Sequence, residues 1–314
     1  MEHGESKSRF ELVPLPGGGW AVHDRAWGET MHPVAGPEIE PAALYVEELQ
    51  LPQLWTRVES GRQALAVVWD VGLGAGANAL AVLCSAAARR VRLRLWSFDL
   101  SLDALAFARA QAGRLRYLAG WEPVVDEFLV TGSFIGRVGT AEVEWRFIPG
   151  DFARWLAIHE PPADAPDAVA FDPYSPSRHP DLWTAEVFQR LHSRLDPSRA
   201  CVLTTYSRSN RIRTALLMGG FFVGRGRPVG VKEETTVASN RLELLSRPLD
   251  HTWLNRLRRT PPAGPDRHCG DGDRMAALST WERLRQHPQF AGERMSPARD
   301  QGAGSSGSGR SASF

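Results

Sequence analysis

The chain has 314 residues, of which 43% are hydrophobic and 23% charged, a composition typical of a folded protein of one or two domains. Its 11 tryptophans and 13 phenylalanines exclude a chain that is disordered throughout, and no run approaches the roughly 18 apolar residues of a membrane-spanning helix. The net charge of +1 argues against strong non-specific binding to nucleic acids, and three cysteines without a C-x-x-C pair argue against a disulfide framework or a metal site.

Strand-like and helix-like segments alternate between residues 10 and 250, which are predicted to form one domain. The predicted strands, in chain order, are Ala64–Trp69, Val91–Phe98, Trp145–Ile148, Ala168–Phe171 and Ala200–Thr205. The predicted helices are Ala77–Arg89, Leu102–Ala112, Phe152–Ile158 and Thr184–Leu195. Strands that alternate with helices of this length predict an α/β fold, in which a mostly parallel sheet is covered by helices on both faces.

The two ends of the chain differ from this domain. Residues 1–9 are predicted to be a flexible N-terminus, and they lack the apolar core of a signal peptide, so we expect a cytoplasmic protein. Residues 251–314 are rich in Pro, Gly, Ser and Arg and are predicted to be a largely disordered tail, with one short helix at Arg274–Gln286. The tail carries 10 Arg against 6 Asp plus Glu, so it either touches RNA or is simply basic.

The first predicted strand runs into a turn with glycine at every second position. It reads Asp70-Val-Gly72-Leu-Gly74-Ala-Gly76-Ala-Asn78 and leads directly into a predicted helix. Glycine allows a tight turn and a close approach of the backbone to a ligand, and the first amides of a helix are unpaired. Because ligands of open α/β sheets bind outside the carboxyl ends of the strands, we expect this turn and Asn78 to bind a cofactor.

An acid, Asp99, ends the second predicted strand, 23 residues after Gly76. In nucleotide-binding folds this position carries the acceptor for the ribose hydroxyls; the alternative is that Asp99 caps the helix that begins near Leu102. The phosphate-binding motif G-x-x-x-x-G-K-[ST] is absent, which argues against phosphoryl transfer. The glycine spacing also departs from the G-x-G-x-x-G of dinucleotide binders and resembles that of S-adenosylmethionine (AdoMet) methyltransferases.

Two further loops follow predicted strands. Asp151 comes after the third strand, where AdoMet methyltransferases hold the adenine edge; alternatively it caps the helix Phe152–Ile158. The loop that contains Asp172 is stiffened by prolines and crowds polar and aromatic side chains around that acid, as expected where an acceptor meets a methyl donor. Tyr174 and Trp183 either stack on an extruded base or belong to the core.

A basic segment without any acid extends from Pro197 to Val231. Its arginines, with the lysine that follows, are Arg199, Arg208, Arg211, Arg213, Arg225, Arg227 and Lys232. The planar guanidinium group donates two hydrogen bonds to a phosphate, so the segment either contacts RNA or forms a solvated basic face.

Five motifs in this order resemble the methyltransferase part of the MnmC/MnmD family, which makes 5-methylaminomethyl-uridine at the wobble position of tRNA. They are Gly28-Glu29-Thr30-Met31-His32, the glycine turn from Asp70, the loop from Asp167 to Trp183, the segment from Thr204 with Arg211 and Arg213, and the closing segments at Gly219–Phe221 and Gly230–Glu233. The resemblance implies a Rossmann-like class I AdoMet-dependent methyltransferase fold. It also implies AdoMet as cofactor, bound by Gly72, Gly74, Gly76, Asn78, Asp99 and Asp151.

The resemblance further implies that Asp172 is catalytic. The substrate-binding residues would be Glu29, Tyr174, Arg178, Arg211, Arg213 and Lys232. The implied reaction moves a methyl group from AdoMet to the amine of 5-aminomethyl-(2-thio)uridine in tRNA. A flavin oxidase half is not expected, so a separate enzyme would supply the aminomethyl precursor.

Pro173 and Tyr174 depart from the Gly and Phe of the family, which leaves two alternatives open. One is a methyltransferase of the same fold with a different amine or small-molecule acceptor. The other is a non-catalytic RNA-binding relative. A nicotinamide oxidoreductase is disfavoured by the glycine spacing.

Overall fold

The computed structural model describes residues 8–33, 35–159, 165–228, 234–259 and 279–291, and these ranges form two β-sheets. The smaller sheet is an antiparallel meander of β1 (Phe10–Pro14), β2 (Trp20–Asp24) and β3 (Glu29–Thr30). The larger sheet has eight strands. They are β4 (Ala66–Val71), β5 (Arg92–Asp99), β6 (Ser133–Val138), β7 (Ala141–Pro149), β8 (Ala168–Phe171), β9 (Val202–Thr205), β10 (Phe222–Gly226) and β11 (Thr235–Ser239).

The strand order of the large sheet is β10-β11-β9-β8-β4-β5-β7-β6. Strands β7, β5, β4, β8 and β9 run parallel, while β6, β10 and β11 pair antiparallel with their neighbours. All six residues of β4 are buried, as expected for a central strand that is covered on both faces. The predicted mostly parallel Rossmann-like sheet is therefore confirmed.

The central strand β4 marks the point at which the strand order reverses. From β4 the chain proceeds to β5 and β7 on one side, and it then returns to β8 and β9 on the other. The first loops on the two sides diverge, which opens a crevice at the carboxyl ends of β4 and β8. The four predicted site loops follow β4, β5, β7 and β8, so they all meet at this edge.

A helical segment lies at residues 279–285, and nine α-helices lie in the described ranges before it. They are α1 (Glu40–Ala42, continued by a π-helical turn at Ala43–Glu47), α2 (Leu51–Glu59), α3 (Ala77–Ala87), α4 (Asp103–Ala110), α5 (Glu122–Thr131), α6 (Phe152–Ile158), α7 (Ala185–His192), α8 (Asn210–Met218) and α9 (His251–Arg259). Helices α2–α5 bury apolar residues in one hydrophobic cluster, and α6–α9 bury theirs in a second. No helix in the described part of the chain is both long and apolar enough to cross a membrane.

The folded part of the chain extends beyond residue 250. Residues 251–259, which composition assigns to the tail, form α9 and bury Trp253, Leu254 and Leu257. The average composition of the tail conceals this short apolar stripe, whose helical spacing suits one buried face. Residues 279–285 are helical within the predicted Arg274–Gln286 segment, and Leu284 is buried. The remainder of the tail and residues 1–7 lie outside the described ranges.

A glutamine near the end of the described chain is bonded to the outer strand β10. The Gln289 side chain accepts a hydrogen bond from the backbone nitrogen of Val223 at 2.7 Å. It also donates to the carbonyl oxygens of Val223 and Leu249, at 2.8 Å each. Leu249 in turn donates its backbone N–H to the Val223 carbonyl, so this edge of the sheet is covered.

Candidate active site

The carboxyl ends of β4, β5, β7 and β8 open into a cavity of about 330 Å³, which lies in the range of small-molecule sites. Its floor is formed by the loops that follow these four strands. The facing wall is residues 28–33, which include β3 and the turn before it. The fold thus brings the N-terminal residues 28–33 to the loops that follow strands much later in the chain.

The glycine turn after β4 adopts a backbone that only glycine accepts readily. Gly72, Gly74 and Gly76 have φ values of +93°, +51° and +83°, in the left-handed region. A Cβ atom on Gly72 would lie 2.5 Å from the carbonyl oxygen of Asp172, which is closer than van der Waals contact permits. The turn after β4 and the loop after β8 therefore touch through their backbones, and any bulkier residue at Gly72 would separate them.

Asp99 is bonded to the glycine turn rather than to a helix. Its carboxylate accepts hydrogen bonds from the backbone N–H groups of Gly74 and Leu100, at 2.8 and 2.7 Å. Helix α4 begins at Asp103, and no side chain in the described ranges caps it, so the alternative role of Asp99 as a helix cap does not occur. Burial raises the pKa of Asp99, although the two amides act in the opposite direction.

Asp151 caps α6, since its Oδ1 accepts a hydrogen bond from the backbone N–H of Arg154 at 2.7 Å. Its Oδ2 lies 3.6 Å from Nε2 of His179, and both residues line the cavity. The cap uses one oxygen and leaves the other on the cavity side. The alternative that Asp151 is a helix cap is thus observed, and it is compatible with a ligand contact. His179, which makes this contact, was not among the predicted site residues.

The carboxylate of Asp172 is held by Asn78, at the start of α3. The side-chain N–H of Asn78 donates to Oδ2 of Asp172 at 2.8 Å. The amide oxygen of Asn78 is buried and has no hydrogen-bond partner among the described residues. Burial raises the pKa of Asp172 to about 6, even though the nearby His32 and the bond from Asn78 lower it. A carboxylate and an amide oxygen thus meet where the turn after β4 touches the loop after β8.

Asp70, the last but one residue of β4, lies beneath this pair and is fully buried. Its Oδ2 accepts a hydrogen bond from Ser97 at 2.8 Å, and Ser97 accepts one from the indole N–H of Trp145 at 2.9 Å. Its Oδ1 has no partner within the described part of the chain. Burial raises the pKa of Asp70 to about 7, and the negative charge of Asp172 adds to the effect.

A histidine, His32, and a further acid, Glu40, lie on the wall that faces Asp172 and Asp70. His32 follows β3 and Glu40 begins α1; both side chains are buried and both line the cavity. Nδ1 of His32 lies 3.9 Å from Oε1 of Glu40. Neither residue was among the predicted site residues. His32 stands in the segment that contains Glu29 and Thr30, which was the available signal, whereas only the fold brings Glu40 to the cavity.

The rim of the cavity is built from aromatic and acidic side chains. Tyr174 stacks on Trp27 at a centroid distance of 5.2 Å and donates its hydroxyl proton to the buried Asp24 at 2.6 Å. Trp27, which was not predicted to belong to the site, also stacks on His179. Glu29 accepts a hydrogen bond from the backbone N–H of Ser175 at 3.0 Å and so anchors the loop after β8. Trp183 is buried core, which is one of the two interpretations that the sequence left open.

The predicted basic segment does not form one surface. Arg213 is 2% exposed and bonds to Glu234, the Thr235 carbonyl and the Thr236 hydroxyl, so it joins α8 to β11 and does not reach the cavity. Its placement corrects the interpretation of Arg213 as a substrate-binding residue. The arginine is buried because α8 turns this side of its first turn toward the sheet.

The other predicted basic residues differ in their surroundings. Arg199 pairs with Asp167 at 3.0 Å, away from the cavity. Arg225 and Arg227 lie 3.6 Å from Glu234 and Glu48, respectively. Arg208 and Arg211 follow the carboxyl end of β9, and no ion pair joins either to an acid in the described ranges. Arg178 is exposed beside Gly28, while Lys232 lies outside the described residues.

Across the residues that the structure describes, no three His, Cys, Asp or Glu side chains are arranged to hold a metal ion. The acids of the cavity instead surround a space suited to an organic cation. Asp70, Asp99, Asp172, Glu29 and Glu40 all lie in or under it, and His32 and His179 are the basic side chains among its lining residues. A ligand that carries positive charge would find its charge compensated here.

Comparisons with known proteins agree with this geometry. Residues 119–241 match the profile of a family described as S-adenosyl-L-methionine-dependent methyltransferases. The chain is 35% identical over 126 residues to the tRNA 5-methylaminomethyl-2-thiouridine biosynthesis bifunctional protein MnmC of Ralstonia nicotianae. That match covers 38% of this chain and 17% of the relative, so the chain corresponds to only a part of that bifunctional protein.

The fold is similar to the crystal structure of MNMC2 from Aquifex aeolicus, with a TM-score of 0.61 and 19% identity. The similarity covers 90% of this chain and 86% of that one. This structural similarity confirms the predicted fold. The profile match and the sequence match confirm the predicted resemblance to AdoMet-dependent methyltransferases of the MnmC/MnmD family, and the profile match covers residues 119–241. The matched segment 119–241 contains Asp151 and Asp172, while the glycine turn and Asp99 lie before it.

Proposed function

We propose that the protein transfers the methyl group of AdoMet to the amine of 5-aminomethyl-(2-thio)uridine at the wobble position of tRNA. The observation that carries the proposal is the backbone contact between Gly72 and Asp172. It joins a turn suited to a nucleoside donor to an acidic loop suited to an amine acceptor, within one cavity. The sequence similarity to MnmC supports the choice of acceptor.

On the donor side, the glycine turn and Asp99 would hold the nucleoside part of AdoMet. Each carboxylate oxygen of Asp99 accepts one backbone N–H and retains a second lone pair, which suits a ribose hydroxyl. Asp151 uses one oxygen to cap α6, so the other is available to the adenine edge. Phe152 and Leu100 line the cavity between these acids and provide apolar contact for the adenine ring.

On the acceptor side, Asp172 would orient the amine. The free carbonyl of Asn78 beside it supplies a second acceptor for an N–H group, so one amine can be bound by two fixed oxygens. An alkyl amine has a pKa of about 10 in water and enters largely protonated. A carboxylate favours that charged form, so orientation of the amine and removal of water must supply most of the acceleration that Asp172 gives.

The rim would receive the base that carries the amine. Trp27 presents a half-buried indole stacked on Tyr174, and single-stranded RNA bases commonly stack on such rings. Arg178, Arg208 and Arg211 lie on the same carboxyl-terminal side of the sheet and would contact phosphates. The tRNA substrate, a cytoplasmic location and a separate enzyme that supplies the aminomethyl group are parts of this proposal.

The test is methyl transfer from labelled AdoMet to tRNA that carries 5-aminomethyl-uridine, followed by mass analysis of the nucleosides. The proposal expects methylaminomethyl-uridine as the product, and no product from the same tRNA without the aminomethyl group. AdoMet binding without RNA methylation would overturn the acceptor and favour a different amine. Tyr174 is the observation behind that alternative, because its hydroxyl bond to Asp24 gives this rim a contact that phenylalanine cannot make.

A further inference from the structure

His32 combines three features that a purely structural histidine does not need. Its backbone has a φ of +52°, a conformation that costs energy for a residue with a side chain. Its imidazole is 8% exposed, and the residue lines the cavity. Its Nδ1 lies on the side of Glu40, at 3.9 Å, so Nε2 is on the ring edge away from that acid.

The groups that face His32 come from three elements. Glu40 begins α1, Asp70 ends β4, and Asp172 follows β8; all three are acids. Burial alone would lower the pKa of His32, but the nearby carboxylate of Glu40 and the charges of Asp172 and Asp70 outweigh it, and the net result is a raised pKa. The nearby hydroxyls of Tyr45 and Tyr206 are held neutral, since burial raises the pKa of both well above the ordinary value.

We propose that His32, oriented by Glu40, is the catalytic residue that takes the proton from the acceptor ammonium before methyl transfer. This inference rests on the proposed function and assigns a role within it. Asp172 then orients the amine, and His32 removes its proton. A carboxylate paired with an imidazole whose other nitrogen faces the reactants is an arrangement that recurs in proton transfer.

Proton and electron pairs balance in this step. Neutral His32 accepts one proton at Nε2 from the ammonium group, which leaves a neutral amine with a free electron pair. That pair forms a bond to the methyl carbon of the sulfonium, and the carbon–sulfur bond breaks with its electrons moving to sulfur. The product is a protonated secondary amine and S-adenosylhomocysteine, while the proton on His32 returns to solvent after release.

The choice of His32 over Asp172 follows from basicity. A proton acceptor is most effective when its pKa approaches that of the group it deprotonates. The pKa of Asp172, about 6, is further below the pKa of an alkyl amine than the pKa of His32, which is raised above 6.5. Asp172 also accepts the bond from Asn78, which fixes it for orientation.

The experiment measures single-turnover methyl transfer to aminomethyl-uridine tRNA at saturating AdoMet, as a function of pH, for wild type and His32→Asn. Asparagine is chosen because it tolerates a left-handed backbone. We expect the wild-type rate to rise with pH toward a plateau that reflects deprotonation of His32. The variant should lose about 10²-fold in rate at pH 8 and keep only a rise toward the amine's own pKa of about 10. AdoMet affinity, measured by calorimetry, is the readout that shows the site is still formed.

Two further variants keep the inference open to refutation. In Glu40→Gln the rising limb should move to lower pH, because one of the charges that raise the pKa of His32 is removed. In His32→Gly, whose backbone suits φ +52°, added imidazole should restore the rate in proportion to its unprotonated form. A matched control is His159→Asn, an exposed histidine at the end of α6, which should change neither rate nor limb.

The outcomes separate the two proposals. If wild type does not methylate this tRNA, the proposed function fails and the inference falls with it. If wild type is active while His32→Asn keeps its rate, the function stands and the inference is overturned. A limb in His32→Asn that still reaches its plateau well below the pKa of the amine would also overturn the inference, since that limb would then belong to another acid such as Asp172.

Discussion

The carboxylate of Asp99 accepts a hydrogen bond from the backbone N–H of Gly74 at 2.8 Å, across 25 residues of sequence. This bond makes the glycine turn and the end of β5 one unit, so the shape of the turn depends on the acid. A ligand that bonds to Asp99 is thereby held against the turn. Asp99 thus has a structural role in shaping the turn and a role in binding the ligand, and different substitutions of Asp99 can separate the two roles.

Replacing Asp99 with alanine should weaken AdoMet binding by about 10–100-fold, the equivalent of one lost hydrogen bond to a charged group. Asp99→Asn, which keeps one acceptor for Gly74, should lose less. Isothermal titration calorimetry measures both affinities, with the exposed Asp103→Ala as the control that should bind like wild type. Equal affinity in Asp99→Ala and wild type would remove Asp99 from the ribose role.

Replacing Asp172 with asparagine should reduce the rate of methyl transfer by about 10²-fold and leave AdoMet affinity within a few-fold of wild type. The reason is that asparagine keeps the shape but exchanges a charged oxygen for an N–H donor that repels the amine. Single-turnover rates and calorimetry provide the two measurements. Asp181→Asn, an exposed acid farther along the same loop, is the control, and a fully active Asp172→Asn would contradict the assignment.

The contact of Gly72 with Asp172 predicts an unequal response of two glycines with the same backbone. Gly72→Ala should destabilise the fold by about 2–5 kcal/mol, because a left-handed alanine is strained and its Cβ would collide with a carbonyl oxygen 2.5 Å away. Gly18→Ala, with φ +87° and no described atom within 4 Å, should cost only about 1–2 kcal/mol. Chemical unfolding of both variants measures the difference, and equal losses would refute the collision.

The buried carboxyl of Asp70 should make the stability of the ligand-free protein depend on pH. Its pKa is about 7 in the fold against the ordinary value of 3.8, so the native state holds a proton that the unfolded chain has released. The free energy of unfolding therefore falls by on the order of 4 kcal/mol as pH rises from about 4 to 7. Above pH 7 this contribution is constant.

Asp70→Asn should remove the share of this dependence that Asp70 contributes, since an amide cannot ionise and still accepts the bond from Ser97. Asp172, whose pKa is raised to about 6, keeps its own share. Urea unfolding at pH 5 and pH 8 compares the variant with wild type. A wild-type protein that is equally stable at the two pH values would show that Asp70 is not protonated in the fold.

Substitution of two arginines of α8, two residues apart, should have different effects: one variant should lose stability and the other tRNA binding. Arg213→Ala leaves the bonding groups of β11 and Glu234 without their partner and should destabilise the fold by about 3–5 kcal/mol. Arg211→Ala should leave stability within about 0.5 kcal/mol but weaken tRNA binding and lower its salt dependence by about one unit. Thermal unfolding and binding titrations at several salt concentrations test the pair; reversed effects would contradict the structure.

The edge of the sheet that carries the site could be predicted because its signals are local. The strands that end in Val71 and Phe171 are apolar runs, those that end in Asp99 and Pro149 alternate, and each has glycine or an acid at or directly after its end. Parallel strands bring such ends together. The predicted strand at Ala200–Thr205 is likewise present as β9. The glycines were recognised by spacing, and their positive φ values agree with it.

What escaped prediction depends on contacts between distant segments. The small sheet β1–β3 carries no strong pattern of its own, yet its last turn and strand supply the cavity wall with His32 and place Trp27 against Tyr174 at the rim. Glu40 looks like an ordinary helix-start acid until the fold buries it. The burial of Arg213 follows from which side of α8 faces the sheet, and a run of arginines in the sequence does not reveal that side.

The bonds of Gln289 have a consequence for the behaviour of the protein at high concentration. Strand β10 is the last strand on its side, and exposed edge strands readily pair with strands of other molecules. Gln289 occupies both the N–H and the carbonyl of Val223, as a neighbouring strand would. Together with the backbone of Arg247 and Leu249, the side chain thereby occupies groups that a strand of another molecule would need for β-pairing at this edge.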